Sequence, residues 1–146
     1  DVTGDVSYDG ENHQHMIEMR AAKIARLADV IPPIEVAGDT AAETLVIGWG
    51  GTQGAITSAV DRLRAGGVSV ASAHLRYLNP MPSNLGEVLS QYSQVIVPEI
   101  NTGQLRFLLR SRYLVDAKGI NVIQGRGFHV DELADGIQSI IDGCDS

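Results

Sequence analysis

Cysteine is nearly absent from this sequence of 146 residues, which contains only Cys144. A single thiol cannot form an intrachain disulfide, and it cannot supply the several thiolates that a cysteine-rich zinc site or an iron–sulfur cluster requires. The chain alone therefore builds none of these centres. One cysteine is typical of a protein from a reducing compartment, and we expect the cytoplasm. We interpret Cys144 as a surface thiol.

Long apolar runs and positive charge are also scarce. No segment approaches the roughly twenty consecutive apolar residues that a membrane-spanning helix needs. Because 11 Lys and Arg stand against 18 Asp and Glu, the formal net charge is −7, which disfavours nucleic acid and membranes as partners. The first residues do not resemble a signal peptide, so we expect none, and the sequence begins without Met. We therefore expect a piece of a longer protein.

What the sequence does contain is an alternation of short apolar runs and amphipathic segments. Residues 1–32 predict a polar linker followed by an amphipathic helix over His13–Ala28, which leads in from an upstream domain that is absent here. Residues 33–146 predict one α/β domain. Its predicted strands are Ile34–Val36, Thr44–Trp49, Val68–His74, Gln94–Pro98 and Ile120–Ile123.

Four helices are predicted between and after these strands. The third strand and the fourth are joined by a helix that Ser83 caps, and the helix after the fourth strand opens at Asn101 or Thr102. The alternation implies crossover connections and a mostly parallel sheet covered on both faces, a three-layer α/β/α architecture. The apolar positions that define the helices are Ile56, Val60 and Leu63; Leu85, Val88 and Leu89; Leu105, Leu108 and Leu109; and Leu133, Ile137, Ile140 and Ile141.

Two glycine-containing turns compete for a binding site. In parallel sheets, ligands bind beyond the carboxyl ends of the strands, where helix starts offer free N–H groups. The turns Gly48–Gly54 and Glu99–Gln104 each join a strand end to a helix start. They predict a crevice for a phosphate or a carboxylate, although tight turns that simply need glycine are common in this architecture. The candidate residues are Gly50, Gly51, Thr52, Glu99, Asn101 and Gly103, with His74 and Arg76 from the next strand end.

The glycine spacing also allows a nucleotide as an alternative ligand. Gly48-x-Gly50-x-x-x-Gly54 is a loose version of a dinucleotide fingerprint, without the acid that usually binds the ribose. His74 and Arg76 stand at that place and suit a 2′-phosphate instead. No Lys follows the glycines, so the segment is not a Walker loop.

Catalytic and metal-binding residues are not predicted within the chain. His13 and His15 lie on different faces of a helix, which disfavours a metal site, and no nucleophile stands beside a base. Arg106, Arg110 and Arg112 form a basic helix face, which is either simply solvated or a surface for an acidic partner.

Four phrases in order resemble the α subunits of 2-oxoacid:ferredoxin oxidoreductases, the 2-oxoglutarate type especially. The likeness covers nearly the whole chain, and one departure is Gly50-Gly51-Thr52, where Gly-Ser-Thr is common in the family. The matching segments are Ser7–Asp9 with Glu11–Gln14, Leu45–Gly50, His74–Pro82 with Asn84–Gly86, and Val97–Leu105 with Tyr113–Asp116.

The resemblance implies a transketolase C-terminal-like fold. Its five strands lie in the order 1-3-2-4-5, with strand 1 antiparallel to the others. The winding then reverses between Thr44–Trp49 and Gln94–Pro98, whose carboxyl ends carry the two turns. The family fold and the residue pattern thus indicate the same crevice.

The resemblance also implies a role within a larger enzyme. Such enzymes decarboxylate a 2-oxoacid on thiamine diphosphate with Mg²⁺, pass electrons through iron–sulfur clusters to ferredoxin, and transfer the acyl group to coenzyme A. We expect this chain to bind none of these cofactors. We expect it to be a non-catalytic scaffold that contacts the upstream pyrimidine-binding domain and the β subunit, within a dimer of αβ units. The alternative is a domain that binds coenzyme A or a nucleotide phosphate.

Overall fold

A computed structural model describes residues 4–39 and 41–143. The chain begins with helix α1 (Gly10–Ala25), which Asp9 caps by accepting a hydrogen bond from the Asn12 amide at 2.9 Å. A single 3-10 turn, Arg26–Asp29, follows. None of the residues of α1 is buried. The predicted helix is therefore confirmed with its ends shifted by three residues, but its apolar side does not pack into this domain.

The rest of the chain alternates between strands and helices, as the sequence predicts. The strands are β1 (Val36–Gly38), β2 (Thr44–Trp49), β3 (Ala71–Leu75), β4 (Gln94–Glu99) and β5 (Lys118–Asn121). The helices between and after them are α2 (Gln53–Ala65), α3 (Leu85–Ser90), α4 (Gln104–Tyr113) and α5 (Val130–Ile141).

The sheet has the order β1-β3-β2-β4-β5. Strand β1 is antiparallel to β3, and all other neighbours are parallel. The predicted strand order and the predicted direction of the first strand are both confirmed. Strands β2 and β4 lie in the middle because their runs are apolar at successive positions, which suits burial on both faces.

Two apolar clusters cover the two faces of the sheet. On one face, α3 and α4 pack through Leu85 and Leu105, and on the other, α2 and α5 pack through Val60 and Leu133. These four side chains are at most 2% exposed. Burying a Leu or Val side chain contributes roughly 1.5–3 kcal/mol, so this packing dominates the stability of the domain. The three layers predicted from the sequence are therefore present.

The first strand lies two residues later than predicted. The backbone of Ile34 makes no ladder bond, because the side-chain amide of Asn84 occupies both of its polar groups. The Ile34 amide donates to Asn84 Oδ1 at 2.9 Å, and Asn84 Nδ2 donates to the Ile34 carbonyl at 3.0 Å. Pairing begins only at Val36, opposite Ala73.

Other local predictions were also inaccurate: β3 begins at Ala71 rather than Val68, and α4 begins at Gln104 rather than at Asn101 or Thr102. Ser83 does not cap α3: the capping position is Asn84, whose side chain bonds Ile34 instead. Strand β5 runs over Lys118–Asn121 rather than Ile120–Ile123, because Gly119 and Asn121 are paired with Val97 and Glu99 of β4. In α4, Leu108 is 43% exposed, although its spacing suggested a place in the core.

Candidate functional site

The carboxyl ends of β2 and β4 bring the two turns to the same edge of the sheet. The strands are parallel neighbours with Leu45 opposite Val95 and Val46 opposite Ile96. Trp49, at the end of β2, lines one groove together with Thr102 and Gly103 from the turn after β4. The two turns therefore lie at one edge of the sheet, but Gly103 is the only predicted site residue that lines this groove.

At the turn after β4, the chain supplies its own anion. The Glu99 side chain is fully buried, and its carboxylate accepts hydrogen bonds from the Leu105 amide at 2.7 Å and the Arg106 amide at 3.1 Å. These amides belong to the first turn of α4, where free N–H groups and the helix dipole favour negative charge. Glu99 thus fills the position that an exogenous phosphate or carboxylate would take.

Asn101 satisfies the remaining amides of this turn. Its Oδ1 accepts from the Gly103 amide at 2.8 Å and from the Gln104 amide at 3.0 Å. Gly103 adopts a positive φ of 100°, a conformation that glycine takes at little cost. Four consecutive amides, from residue 103 to residue 106, are therefore bonded within the chain.

The turn after β2 is built differently. The Thr52 hydroxyl donates to the Trp49 carbonyl at 2.9 Å, and no side chain caps α2. Gly50 has a positive φ of 61°, and a Cβ at Gly50, Gly51 or Gly54 would meet nothing within 4 Å. The surface over this turn is open, so a ligand can approach its backbone.

Gly48 has a packing role rather than a binding role. A Cβ there would lie 2.2 Å from Ile56 Cδ1 and 2.8 Å from Thr52 Oγ1. Gly48 is buried in β2, and its missing side chain lets α2 lie close to the sheet. The spaced glycines of this segment therefore serve different purposes, which the spacing alone did not distinguish.

His74 connects the end of β3 to the same turn. Burial lowers its pKa below the ordinary value, a hydrogen bond to the backbone of Gly50 acts in the opposite direction, and the nearby charge of Arg76 lowers it further. Burial and the charge of Arg76 thus both favour the neutral form of the imidazole. Its Nδ1 is buried and has no hydrogen-bond partner among the described residues.

His74 and Arg76 line a cavity of about 420 Å³ that differs from the groove beside Trp49. Gln53 and Thr57 from the start of α2 also line it, as do residues 32–37. The eight predicted site residues are thus divided. Gly103 lines the groove, His74 and Arg76 line the cavity, and Glu99 and Asn101 are committed to α4. Gly50, Gly51 and Thr52 line neither place and form the turn before α2, where the backbone of Gly50 is hydrogen-bonded to His74.

Two results concern metals and membranes. Among residues 4–39 and 41–143, no group of three or more His, Cys, Asp or Glu has an arrangement that suits a metal ion. In that same part of the chain, none of the helices combines the length and the apolar character needed to cross a membrane. Cys144 lies outside the described residues.

Two features were not predicted from the sequence: the capping of α4 by the Glu99 carboxylate, and the hydrogen bonds between the Asn84 side chain and the Ile34 backbone. Glu99 stands at the end of a strand, six residues before the first buried residue of the next helix. An acid that binds a ligand at a strand end has the same spacing, so the sequence carries no signal that distinguishes the two roles. The bond between Asn84 and Ile34 joins positions that are 50 residues apart, and no local pattern indicates it.

A comparison with known protein families gives the class to which this α/β domain belongs. Residues 42–133 match the family model described as pyruvate:ferredoxin oxidoreductase core domain II. This match covers more than half of the chain, so the chain belongs to that family.

Individual relatives narrow the class to α subunits. Over 97% of its length the chain is 46% identical to "2-oxoglutarate oxidoreductase subunit KorA" of Mycobacterium tuberculosis. It is 33% identical to "2-oxoacid:ferredoxin oxidoreductase 1, subunit alpha" of Aeropyrum pernix, again over 97% of its length. The resemblance found in the sequence is confirmed.

A solved structure agrees with the fold. The 2-oxoglutarate:ferredoxin oxidoreductase from Magnetococcus marinus, with 2-oxoglutarate, coenzyme A and succinyl-CoA bound, matches 95% of the chain with a TM-score of 0.82 and 28% identity. The chain spans only 21% and 23% of the two curated relatives and 25% of this structure. It corresponds to one domain of much longer proteins.

Proposed function

We propose that this chain is a non-catalytic scaffold domain in the α subunit of a 2-oxoglutarate:ferredoxin oxidoreductase. The parent enzyme would oxidatively decarboxylate the 2-oxoacid to its acyl-CoA and reduce ferredoxin. The 46% identity to a 2-oxoglutarate oxidoreductase subunit supports this substrate. A cytoplasmic location remains a prediction.

The observation that supports the scaffold role is that the side chains of Glu99 and Asn101 bond backbone amides at the start of α4. A carboxylate that must accept or donate a proton needs contact with the substrate. The Glu99 carboxylate is fully buried and bonded to two amides of α4 instead. The polar groups at the centre of the sheet edge therefore hold the fold together.

The cofactors of the parent enzyme would be held elsewhere. Iron–sulfur clusters need several cysteines, whereas the sequence has one. We propose that the pyrimidine-binding domain of the α subunit and the β subunit carry this chemistry, in a dimer of αβ units.

The test uses the full-length α subunit together with its β subunit. The complex should reduce ferredoxin with 2-oxoglutarate and coenzyme A, at a kcat/KM at least about tenfold above that for pyruvate, equivalent to about 1.4 kcal/mol of discrimination. Glu99→Gln, in a complex that still assembles, should leave kcat within about twofold. A loss of 10²-fold or more, the size expected when a general acid or base is removed, would mean that Glu99 takes part in catalysis.

The cavity beside His74 supports a second candidate function, the binding of a phosphate-bearing ligand such as coenzyme A or a nucleotide. Arg76 provides a permanent positive charge there, and the uncapped start of α2 provides Gln53. Thermal unfolding of the chain with coenzyme A, NADP or 2-oxoglutarate distinguishes the two functions. A ligand at 100 times its Kd adds about 2.7 kcal/mol to the free energy of unfolding. Stabilisation that Arg76→Gln abolishes would establish binding in the cavity, and no stabilisation by any of the three would favour the scaffold role.

A further inference from the structure

A separate cavity lies at the outer edge of the sheet, beside β5, and we call it the edge cavity. It has a volume of about 510 Å³, which is within the range of small-molecule sites. Its walls come from α4, from β5 with the two residues before it, and from α5. Because α4 and α5 cover opposite faces of the sheet, the cavity spans the open side of the outermost strand. None of its lining residues belongs to the cavity beside His74.

Positive charge is concentrated in the edge cavity, although the protein as a whole has a net charge of −7. The lining contains three cationic side chains, Arg106, Arg110 and Lys118, and one carboxylate, that of Asp116. The charge of the lining is therefore +2. Arg112, which the sequence groups with the other two arginines of α4, lies outside the lining.

Arg106 is the cation of this cavity that lacks an acidic partner. Arg110 is paired with Asp116 and also donates to the Ala117 carbonyl at 3.1 Å. Among the residues that the structure describes, no carboxylate lies within ion-pair distance of Arg106. Glu99 accepts from the backbone amide of Arg106, not from its guanidinium. Arg106 is nevertheless half-buried, and a charge partly removed from water is stabilised by a counter-ion, so this side chain suits an anionic ligand.

Two glycines make room for the Arg106 guanidinium. A Cβ on Gly103 would lie 3.3 Å from Arg106 Nε, and a Cβ on Gly119 would lie 3.0 Å from Arg106 Nη1. The guanidinium therefore lies between the turn after β4 and strand β5, and a larger residue at either position would crowd it. Its place beside the strand is thus fixed by the backbone on both sides.

The backbone of Gly119 adds a hydrogen-bond donor beside Arg106. The Val122 amide donates to the Glu99 carbonyl at 3.1 Å, and Glu99 is opposite Asn121 in the parallel ladder. Since alternate residues of a strand bond the same neighbour, the amide of Gly119 is directed away from β4, toward the open side where the edge cavity lies. A guanidinium and a backbone amide are groups that proteins use to bind phosphate oxygens.

We propose that the edge cavity binds the phosphate group of a small molecule, a phosphomonoester or a diphosphate. The Arg106 guanidinium and the Gly119 amide are its main donors, and Lys118 adds a second cation. The lining charge of +2 matches the charge of a phosphate group, and a concave space of this volume favours a small ligand over the flatter surface of a protein contact. The site is independent of the 2-oxoacid that the parent enzyme oxidises.

The test is isothermal titration calorimetry of the full-length α subunit with inorganic pyrophosphate. Pyrophosphate should bind, and Arg106→Gln should weaken its Kd at least about tenfold, because a charge and its hydrogen bonds to phosphate are lost. Arg106→Lys, which keeps the charge without the planar fork, should weaken it less. Arg112→Gln is the matched control: it removes the same charge from the same helix outside the cavity, and the Kd should stay within about twofold.

A second variant tests the site from another element. Lys118→Gln removes a cation on β5 and should weaken pyrophosphate binding severalfold, and it replaces Arg106→Gln if that variant lowers the thermal midpoint of the subunit. No binding up to about 10 mM pyrophosphate, or equal Kd values for all variants, would overturn the inference. Equal weakening by Arg112→Gln would overturn it too, since the ligand would then respond to the general charge of α4. The proposed function survives each of these outcomes if the assembled complex oxidises 2-oxoglutarate.

Discussion

The two turns at the carboxyl edge of the sheet both lead from a parallel strand into a helix, but the amides at the two helix starts are satisfied differently. After β4, the buried carboxylate of Glu99 and the side chain of Asn101 accept hydrogen bonds from four consecutive amides. After β2, no side chain caps the helix, and Gly50, Gly51 and Gly54 leave the surface open. The start of α4 is thus occupied by side chains of the same chain and has a structural role, whereas the start of α2 is accessible to a ligand.

The largest effect should come from removing the internal anion. Glu99→Ala leaves the Leu105 and Arg106 amides without their acceptor in a buried place, and it should lower the free energy of unfolding by about 2–3 kcal/mol. Urea denaturation measures this loss. Glu43→Ala, on an exposed side chain, is the control and should change stability by less than about 0.5 kcal/mol. A loss at Glu99 no larger than at Glu43 would contradict the contrast between the turns.

The next effect tests the packing of the turn after β2. Gly48→Ala places a Cβ against Ile56 and Thr52 and should destabilise the domain by about 1–3 kcal/mol. Gly54→Ala, in the same segment but in open space on α2, should leave stability unchanged or raise it by up to about 1 kcal/mol. Equal effects in urea denaturation would mean that the two glycines do not differ as described.

A smaller effect is expected at Asn101. Asn101→Ala removes the acceptor for the Gly103 and Gln104 amides, and it should cost about 1 kcal/mol because this cap is partly exposed. Asn101→Asp keeps an acceptor oxygen and should stay within a few tenths of a kcal/mol of the original. Thermal unfolding measures both variants, and equal losses of stability for Asp and Ala would contradict a capping role for the Asn101 oxygen.

The smallest effect concerns how the contribution of His74 to the free energy of unfolding depends on pH. Because the pKa of His74 is lowered in the folded state, the unfolded chain takes up the proton first. The contribution of His74 to stability is therefore present above about pH 6.5, the ordinary histidine value, and is lost as the pH falls from there through the folded pKa. His74→Gln should reduce the loss of stability between pH 7.5 and pH 5.5, measured by urea denaturation, and the exposed His129→Gln should not. Identical pH profiles for all three proteins would contradict this assignment.

The topology was predictable because the central strands are distinctive. Each of β2 and β4 is a run of residues buried on both faces, which suits only the interior of a parallel sheet. The glycine-rich turns could then be assigned to one edge. The division of the site could not be predicted, because a carboxylate that waits for a ligand and one that caps a helix look identical in sequence. Glu99 is such a case.

The predictions for the start of β1 and for the packing of α1 were wrong for a different reason. The Asn84 amide that holds Ile34 comes from another part of the chain, so the local pattern of residues 34–36 reads as a strand. The periodicity of α1 gives a correct helix, but periodicity cannot state what covers the apolar side. Ile17 and Ile24 are 47% and 41% exposed.

Both outer strands of the sheet are short, with three residues in β1 and four in β5. A newly made molecule that meets another therefore presents only a few unpaired backbone groups at either margin, too few for a long intermolecular ladder. The long apolar strands, which would be the strongest templates for fibrils, are enclosed in the middle of the order β1-β3-β2-β4-β5. The arrangement limits edge-to-edge aggregation while the apolar surfaces of α1 and α4 remain uncovered during assembly.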